Sequence, residues 1–419
     1  MKKGWEIKDF VDVCTLVGGS QPSKDDFIYE PKDGYIRLIQ VRDYRTDKYI
    51  TYIPKEKAKR FCTREDIMIG RYGPPIFGIF KGLEGAYNVA LMKAVVNEKI
   101  CNKDYFYLFL QTDNIRQFVE RSSKRAAGQD GVRKELLDKY PVPLPPLPEQ
   151  QRIVSILDKC FAAIDKAKAH AEQNLKNAKE LFESYLQGVF ASTGSATGKK
   201  DGWEEKKLKE LTKKIGSGAT PRGGQENYKQ EGISLVRSMN VHDWEFKERN
   251  LAFIDDNQAK ELDGVTLEEN DVLLNITGAS VARCCIIPKE YLPARVNQHV
   301  SIIRPIKEVL DSKFLNLLLT AKPYKDQLLF TGEQGATRQA ITKAQIENFR
   351  ISIPPLQQQQ TIVRQLDALR AETQKLEAVY RKKIEDLEEL KKSILQKAFS
   401  GELGSGESVE PRTKKEITV

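Results

Sequence analysis

The chain has 419 residues, 40% hydrophobic and 30% charged, with a net charge of +9. That length suits two ordinary domains plus connecting elements, each able to bury a core, and the basic balance points to a polyanionic partner. Six cysteines without C-x-x-C spacing and a start, MKKGWEIKDF, without an apolar run predict a cytoplasmic chain with reduced thiols; no apolar stretch approaches the ~18 residues of a membrane span.

In chain order, short β-branched and aromatic runs come first. YIRLIQV, YITYIP and DIMIGRYG between Tyr35 and Gly73 read as strands punctuated by Gly and Pro. Helical periodicity follows over 103–122 and 130–139, then a last strand, YPVPL. After Pro145 and Pro146 a long helix is predicted over 148–190. Apolar or small residues recur at three- and four-residue spacing, at Ile153, Leu157, Ile164, Ala171 and Leu181 among others, which is the signature of a coiled-coil seam. Pro148 and Glu149 favour its start, because proline lacks only an amide that has no partner there and the carboxylate meets the positive end of the dipole. ASTGSATGKKD, over 191–201, reads as a flexible linker.

The same order then repeats. ISLVRSMNV, DVLLNIT and HVSIIRPI read as strands, 312–330 and 342–348 as helices, RISIP as the closing strand, and 356–400 as a second long helix with a seam at Ile362, Leu366, Leu376, Leu387 and Leu390. PPLPEQQRIVSILD, ending at Asp158, returns as PPLQQQQTIVRQLD, ending at Asp367, an offset of 209. That offset also carries Asn88 onto Asn297, Tyr140 onto Phe349 and Phe190 onto Phe399, so the chain is a tandem repeat. Nearer the start, Gly4-Trp5-Glu6 matches Gly202-Trp203-Glu204, and Val41 matches Val241, at offsets of 198 to 200. The second copy therefore carries about eleven extra residues before Asn297, expected in surface loops where recognition residues sit.

The fold expected is a pair of mixed α/β domains, 1–147 and 202–355, with long helices at 148–190 and 356–400 and a tail at 401–419. A helix over 152–190 is roughly 57 Å long, so it projects from its domain. Each helix springs directly from its own domain, and a linker reaching at most ~40 Å follows the first. Packing them side by side therefore makes them antiparallel, a pseudo-twofold dumbbell with one domain at each end.

Enzymatic signatures are missing. GSATGKKD at Gly194 has the wrong spacing for a phosphate loop, and YGPPIFG at Tyr72 puts Gly73 where an amino-methyltransferase needs an amide or carboxylate, so it reads as a turn. His170, His242 and His299 have no neighbours at metal-ligand spacing. Basic clusters at 121–125 and 206–214 suit phosphate, whereas that at 381–383 lies on a Glu-rich, solvated helix. Loops that mix Gly with Arg, Gln and Asn suit base edges, which need paired donors and acceptors. From these segments the DNA-binding candidates are Lys124, Arg125, Gln129, Arg133, Arg222, Arg237, Arg283, Arg338 and Gln339.

With the repeat, the Pro-Pro-Leu junctions, the Gly-Trp-Glu starts and GSGATPRGG before GISLVRSMNV, the chain resembles the specificity subunits of Type I restriction-modification systems from Trp5 to Phe399. Gln357 departs from the Glu-Gln that usually follows the Pro-Pro-Leu in that family, and with Gln357-Gln358 at its start this helix is expected to begin less firmly. The resemblance implies a non-catalytic subunit with two target recognition domains. Each reads one half of a bipartite, asymmetric site in double-stranded DNA, with the helices as a ruler for the unread spacer. It also implies two methyltransferase subunits and two restriction-translocase subunits as partners. No cofactor is expected in this chain, since S-adenosylmethionine, ATP and Mg belong to those partners. Two other readings are a coiled-coil adaptor whose basic surface is incidental, and a lone regulator or orphan component of a single-chain restriction enzyme.

Overall fold

The computed structural model describes residues 4–72, 76–123, 131–191, 202–221, 224–333 and 340–403. It divides into two compact units, residues 1–171 with 382–419, and residues 172–381.

In the first unit, strand Glu6–Asp9 pairs antiparallel with Pro141–Leu144, joining the two ends of the globular part. An antiparallel sheet has the strand order Cys14–Gly18, Leu91–Val96, Ile67–Gly70, Ile79–Phe80. A second sheet orders Tyr52–Pro54, Tyr35–Ile39, Gly85–Tyr87 and Phe61–Cys62, with Tyr35–Ile39 parallel to Gly85–Tyr87. The run Ile67–Gly70 is buried throughout because both faces are covered. Ile67 and Ile69 face the helices, with Phe10, Tyr105 and Phe106. Met68 faces the second sheet, with Ile39 and Tyr87.

The second unit repeats the plan. Glu204–Lys207 pairs with Arg350–Ile353, and an antiparallel sheet orders Thr212–Ser217, Val300–Pro305, Val272–Asn275 and Cys284–Ile286. The distal sheet has three strands, Ala252–Ile254, Ile233–Val236 and Ala294–Val296, the last two parallel. Val272 and Leu274 face the helices while Leu273 faces the distal sheet. The extra residues fall between Asn240 and Asn297, where this copy has a hairpin, Val241–His242 with Glu245–Phe246, and a helix, Asp256–Glu261. Matching capping pairs, Gln40 with Asp43 and Arg237 with Asn240, move the local alignment away from Val41–Val241.

Several predicted elements are broken. The helix expected over 103–122 is two, Lys103–Phe109 and Asp113–Ser123, with the Thr112 hydroxyl donating to Phe109 O at 2.8 Å in the break. The helix expected over 312–330 divides into Ser312–Thr320 and Lys322–Glu333. Pro323 stands in the first turn of the second piece, where a missing N–H costs nothing, whereas a continuous helix would lose a bond there. Only Lys134–Leu137 is helical within 131–139.

The long helices are Leu147–Phe190, of 44 residues, and Leu356–Ser400, of 45. In both, the proline carbonyl before the helix accepts two amides: Pro146 O from Glu149 and Gln150, Pro355 O from Gln358 and Gln359. The second helix begins at the register of the first despite Gln358. Within the first unit the two helices run antiparallel, as Lys391 meets Asp165 at 2.8 Å and Lys168 meets Glu388 at 2.6 Å. Such exposed pairs set direction more than stability, because water screens them. Burial of Ile153, Leu157, Leu395 and Ala398 in the domain core is the larger contribution, at about 1.5–3 kcal/mol per large apolar side chain. Within the second unit the last turns of the first helix, Leu186 and Phe190, share a core with Val363 and Leu366 of the second.

The seam departs from the heptad pattern. Ile153, Leu157, Ile164, Ala171 and Leu366 are buried, but Leu181, Leu376 and Leu390 are 49%, 41% and 47% exposed, and Ile362 and Leu387 are half-buried. After Ala178 the buried positions follow at spacing four, Phe182, Leu186 and Phe190. That spacing turns the stripe towards the second domain, which supplies Leu208 and Phe314 to the same core, so domain packing overrides the coiled-coil period. Among the described residues no helix is long and apolar enough to cross a membrane.

Candidate nucleic-acid interface

In each copy several connections converge at one end of the four-stranded sheet. In the second copy Gly218 N donates to Asn297 O at 3.2 Å, Ile276 N to His299 O at 3.0 Å and Ile341 N to Ile276 O at 2.8 Å. A β-bridge joins Thr277 to Ala340. Glycine is required at 218, since a Cβ there would lie 1.7 Å from Val296 O. Four side chains gather on this frame. The Thr277 hydroxyl lies 2.6 Å from His299 Nδ1, and the Thr220 hydroxyl donates to the exposed Gln298.

The first copy builds the same frame. Arg71 N donates to Ala90 O at 2.8 Å, Val132 N to Arg71 O at 3.1 Å, and Tyr72 bridges Gly131. Gly19 sits as Gly218 does, its Cβ position 2.0 Å from Asn88 O. Ala90, Gly131 and Val132 lie 209 positions before His299, Ala340 and Ile341. The side chains differ: here the Arg71 guanidinium stands over the Tyr72 ring, 5.0 Å from its centroid, where the second copy has Ile276 and the Thr277–His299 pair.

Of the sequence candidates, Lys124, Arg125, Gln129, Arg222, Arg338 and Gln339 lie outside the described residues. Gly131 and Ala340, which follow two of those segments, belong to the converging frame. Arg283 is half-buried on the turn that closes Asn275–Cys284, with Asn275 N donating to its carbonyl at 2.8 Å. That bond places the backbone of Arg283 beside Asn275, two residues before Thr277. Arg133 is half-buried before helix Lys134–Leu137. Arg237 is engaged internally. It donates to Asn250 O and stacks on Tyr228 at 5.3 Å, while its backbone N–H bonds Asn240, so its side chain braces a turn.

Sequence reasoning missed Arg71, Tyr72, Thr277, Gln298 and His299. Tyr72 read as part of a turn and His299 as an ordinary histidine. The usable signal was that the offset of 209 replaces Ala90 by His299 inside an otherwise matching frame. Arg, Gln, His and Thr offer directional donors and acceptors suited to base edges, and an Arg–Tyr stack offers a flat face. Alongside, Lys209, Lys213, Lys214 and Lys343 line an open groove of about 540 Å³ on edge strand Thr212–Ser217, together with Glu347, which pairs with Lys343 at 3.6 Å; the surplus of lysines suits phosphate.

Comparison with known proteins agrees with this architecture. The family model described as Type I restriction modification DNA specificity domain matches residues 2–177 and 200–386. The chain is 25% identical over 400 residues to the Type I restriction enzyme EcoBI specificity subunit of Escherichia coli, covering 89% of this chain and 81% of that one. It is 23% identical over 411 residues to the MjaVIII specificity subunit of Methanocaldococcus jannaschii, covering 95% and 93%. In fold it is similar to a chain solved in work on complex assembly and conformational transition of the type I R-M system, with TM-score 0.76, 20% identity and coverage of 96% and 99%. It is also similar to the HsdS subunit from Thermoanaerobacter tengcongensis, with TM-score 0.61, 19% identity and coverage of 96% and 98%. With two matched segments spanning most of its length, the chain belongs to the Type I restriction-modification DNA specificity family.

Proposed function

We propose that each copy reads one half of a bipartite, asymmetric DNA site through the converging end of its four-stranded sheet, and that the chain itself catalyses nothing. The observation that carries this reading is one backbone frame bearing different side chains, Arg71 and Tyr72 in one copy, Thr277 and His299 in the other. A shared scaffold with unlike contact groups suits two unlike half-sites.

The long helices set the unread spacer and dock two methyltransferase subunits, with two restriction-translocase subunits joining them; S-adenosylmethionine, ATP and Mg belong to those partners. The pseudo-twofold dumbbell expected from chain connectivity is part of this proposal, and the antiparallel helix segments inside the first unit support it. Of the described candidates, Arg283 is the base contact favoured in the second copy, Arg133 in the first, and Lys209, Lys213, Lys214 and Lys343 are phosphate contacts. Lys124, Arg125, Gln129, Arg222, Arg338 and Gln339 remain proposed contacts on the strength of their side-chain chemistry. An adaptor role is disfavoured, because both copies match the DNA specificity domain.

The test is to purify the chain with its methyltransferase partner and map methylated adenines. A single split motif with a fixed spacer, bound with steep salt dependence, is expected; methylation without any shared motif contradicts the reading.

A further inference from the structure

The distal sheets of the two copies are attached differently. In both copies the distal-sheet clusters, Ile39, Met68 and Tyr87 with Leu38, Ile53 and Ala86 in the first and Leu235, Val236 and Ile254 in the second, include no residue of either long helix, and what differs is a hairpin. In the first copy Tyr44 turns inward and stacks on Phe80, 4.5 Å between centroids and 13° between planes. In the second copy the hairpin Val241–Phe246 leaves the distal sheet and reaches the helices. At its tip Trp244 takes a left-handed backbone, φ +62°, which aims the indole away from its own sheet. The ring meets Phe182 of the first long helix edge-on, centroids 5.2 Å apart and planes at 89°. The Arg370 guanidinium of the second long helix covers it at 5.4 Å, and Arg370 Nη1 donates to Trp244 O at 3.5 Å. Trp244 Nε1 donates to the Thr320 hydroxyl at 2.5 Å, and the neighbouring Asp243 pairs with Lys325.

One side chain therefore touches both long helices and the domain helix Ser312–Thr320, all inside one unit. The hairpin contains part of the sequence that is longer in this copy, yet it faces the scaffold instead of serving as a recognition loop. We infer that Trp244 is a positioning residue that locks the distal sheet of the second copy onto the helix pair, so that the second half-site is read at a fixed distance along the helices. The inference rests on the proposed reading of DNA by both copies. It adds an asymmetry that reading does not contain: the second recognition domain is braced, whereas in the first no equivalent contact exists among the described residues.

The test compares wild type with Trp244→Ala and Trp244→Phe in the full chain bound to its methyltransferase partner. Two readouts are taken: amide hydrogen exchange across the distal sheets, and methylation of a library with the native half-sites and spacers of the native length and one base pair either side. Trp244→Ala is expected to speed exchange in Ile233–Val236 and Ala294–Val296 but not in Tyr35–Ile39. It is expected to lower discrimination against the wrong spacers by about tenfold, the scale of an aromatic pair plus a cation–π contact, with both half-site sequences unchanged. Trp244→Phe keeps the edge-on contact and loses the bond to Thr320, so it should fall between the two. Unchanged exchange in a folded Trp244→Ala chain overturns the brace, and faster exchange with unchanged spacer discrimination overturns the positioning role. The exchange readout judges the brace even if the wild-type complex methylates no split motif, an outcome that would count against the DNA reading.

Discussion

Gln150 and Gln359 make the same three hydrogen bonds, each from the first turn of a long helix. Gln150 Oε1 accepts from Asn102 N at 2.7 Å, and its amide donates to Ile100 O at 2.9 Å and Pro145 O at 2.7 Å. Gln359 does likewise with Asp311 N, Val309 O and Pro354 O, at 2.9, 2.9 and 2.8 Å. Every partner is displaced by the same 209 positions as the glutamines. Both side chains are fully buried, so each fixes the direction in which its helix leaves its domain.

Replacing Gln150 by Leu strands one amide and two carbonyls in the core, and a cost of about 2–5 kcal/mol is expected. Gln359→Leu should cost about as much. Urea unfolding of the purified chain, followed by circular dichroism, checks both; a loss under 1 kcal/mol would show that water replaces the side chain without penalty.

This clamp illustrates what the sequence made legible. PPLPEQQ and PPLQQQQ announced a shared junction, yet the task of the second glutamine required seeing it fold back on segments 48 and 50 residues away. The long helices were readable from their period almost to their ends. The positions of Leu181 and Leu376 were not, because local contact with a domain decides which face of a helix is covered. Strands Glu6–Asp9 and Glu204–Lys207 escaped notice for a related reason. Their sequences, EIKD and EEKK, consist mostly of Glu, Lys and Asp, which are depleted in strands, and they are ordered by pairing with distant Pro141–Leu144 and Arg350–Ile353. The candidate interface was legible only in part: the loops mixing Gly with Arg and Gln read as candidates, though most of the residues named there lie outside the described residues, while Tyr72 in the first copy and His299 in the second became visible only at the converging end of each copy's own sheet.

Buried thiols give the stability a pH dependence on the alkaline side. Burial pushes Cys62 up from 9.0 to about 11, and Cys101 and Cys285 up to about 12. In the unfolded chain these thiols lose protons near pH 9 while the native state still holds them. Their contribution is therefore complete below about pH 9 and is lost as pH rises through 11 to 12. Urea midpoints should fall between pH 9 and 11, and less steeply in a Cys62→Ala, Cys101→Ala variant. In the native chain at pH 8, the partly exposed Cys160 should react with a thiol reagent before the five buried cysteines.

The two sheet ends should affect different halves of the target. Arg283→Ala and His299→Ala are expected to relax or abolish selectivity in one half-site only, at about 1–3 kcal/mol per lost base contact. Tyr72→Ala and Arg71→Ala should act on the other. Replacing Lys213 and Lys214 by Gln should instead weaken binding to all sequences and flatten its salt dependence by ~1 to 2 in the log–log slope. Competition binding over a range of salt separates these outcomes, and variants from both copies relaxing the same half-site would contradict the assignment of one half to each.

The most direct measurement is to lengthen both long helices by one heptad, after Ala171 and after Lys382, and remap the methylated adenines in the complex with the methyltransferase partner. Seven helical residues add about 10.5 Å, close to three base-pair steps at ~3.4 Å each. A spacer longer by about three base pairs, with both half-sites intact, is the predicted result; an unchanged spacer in an active, folded complex would contradict the account.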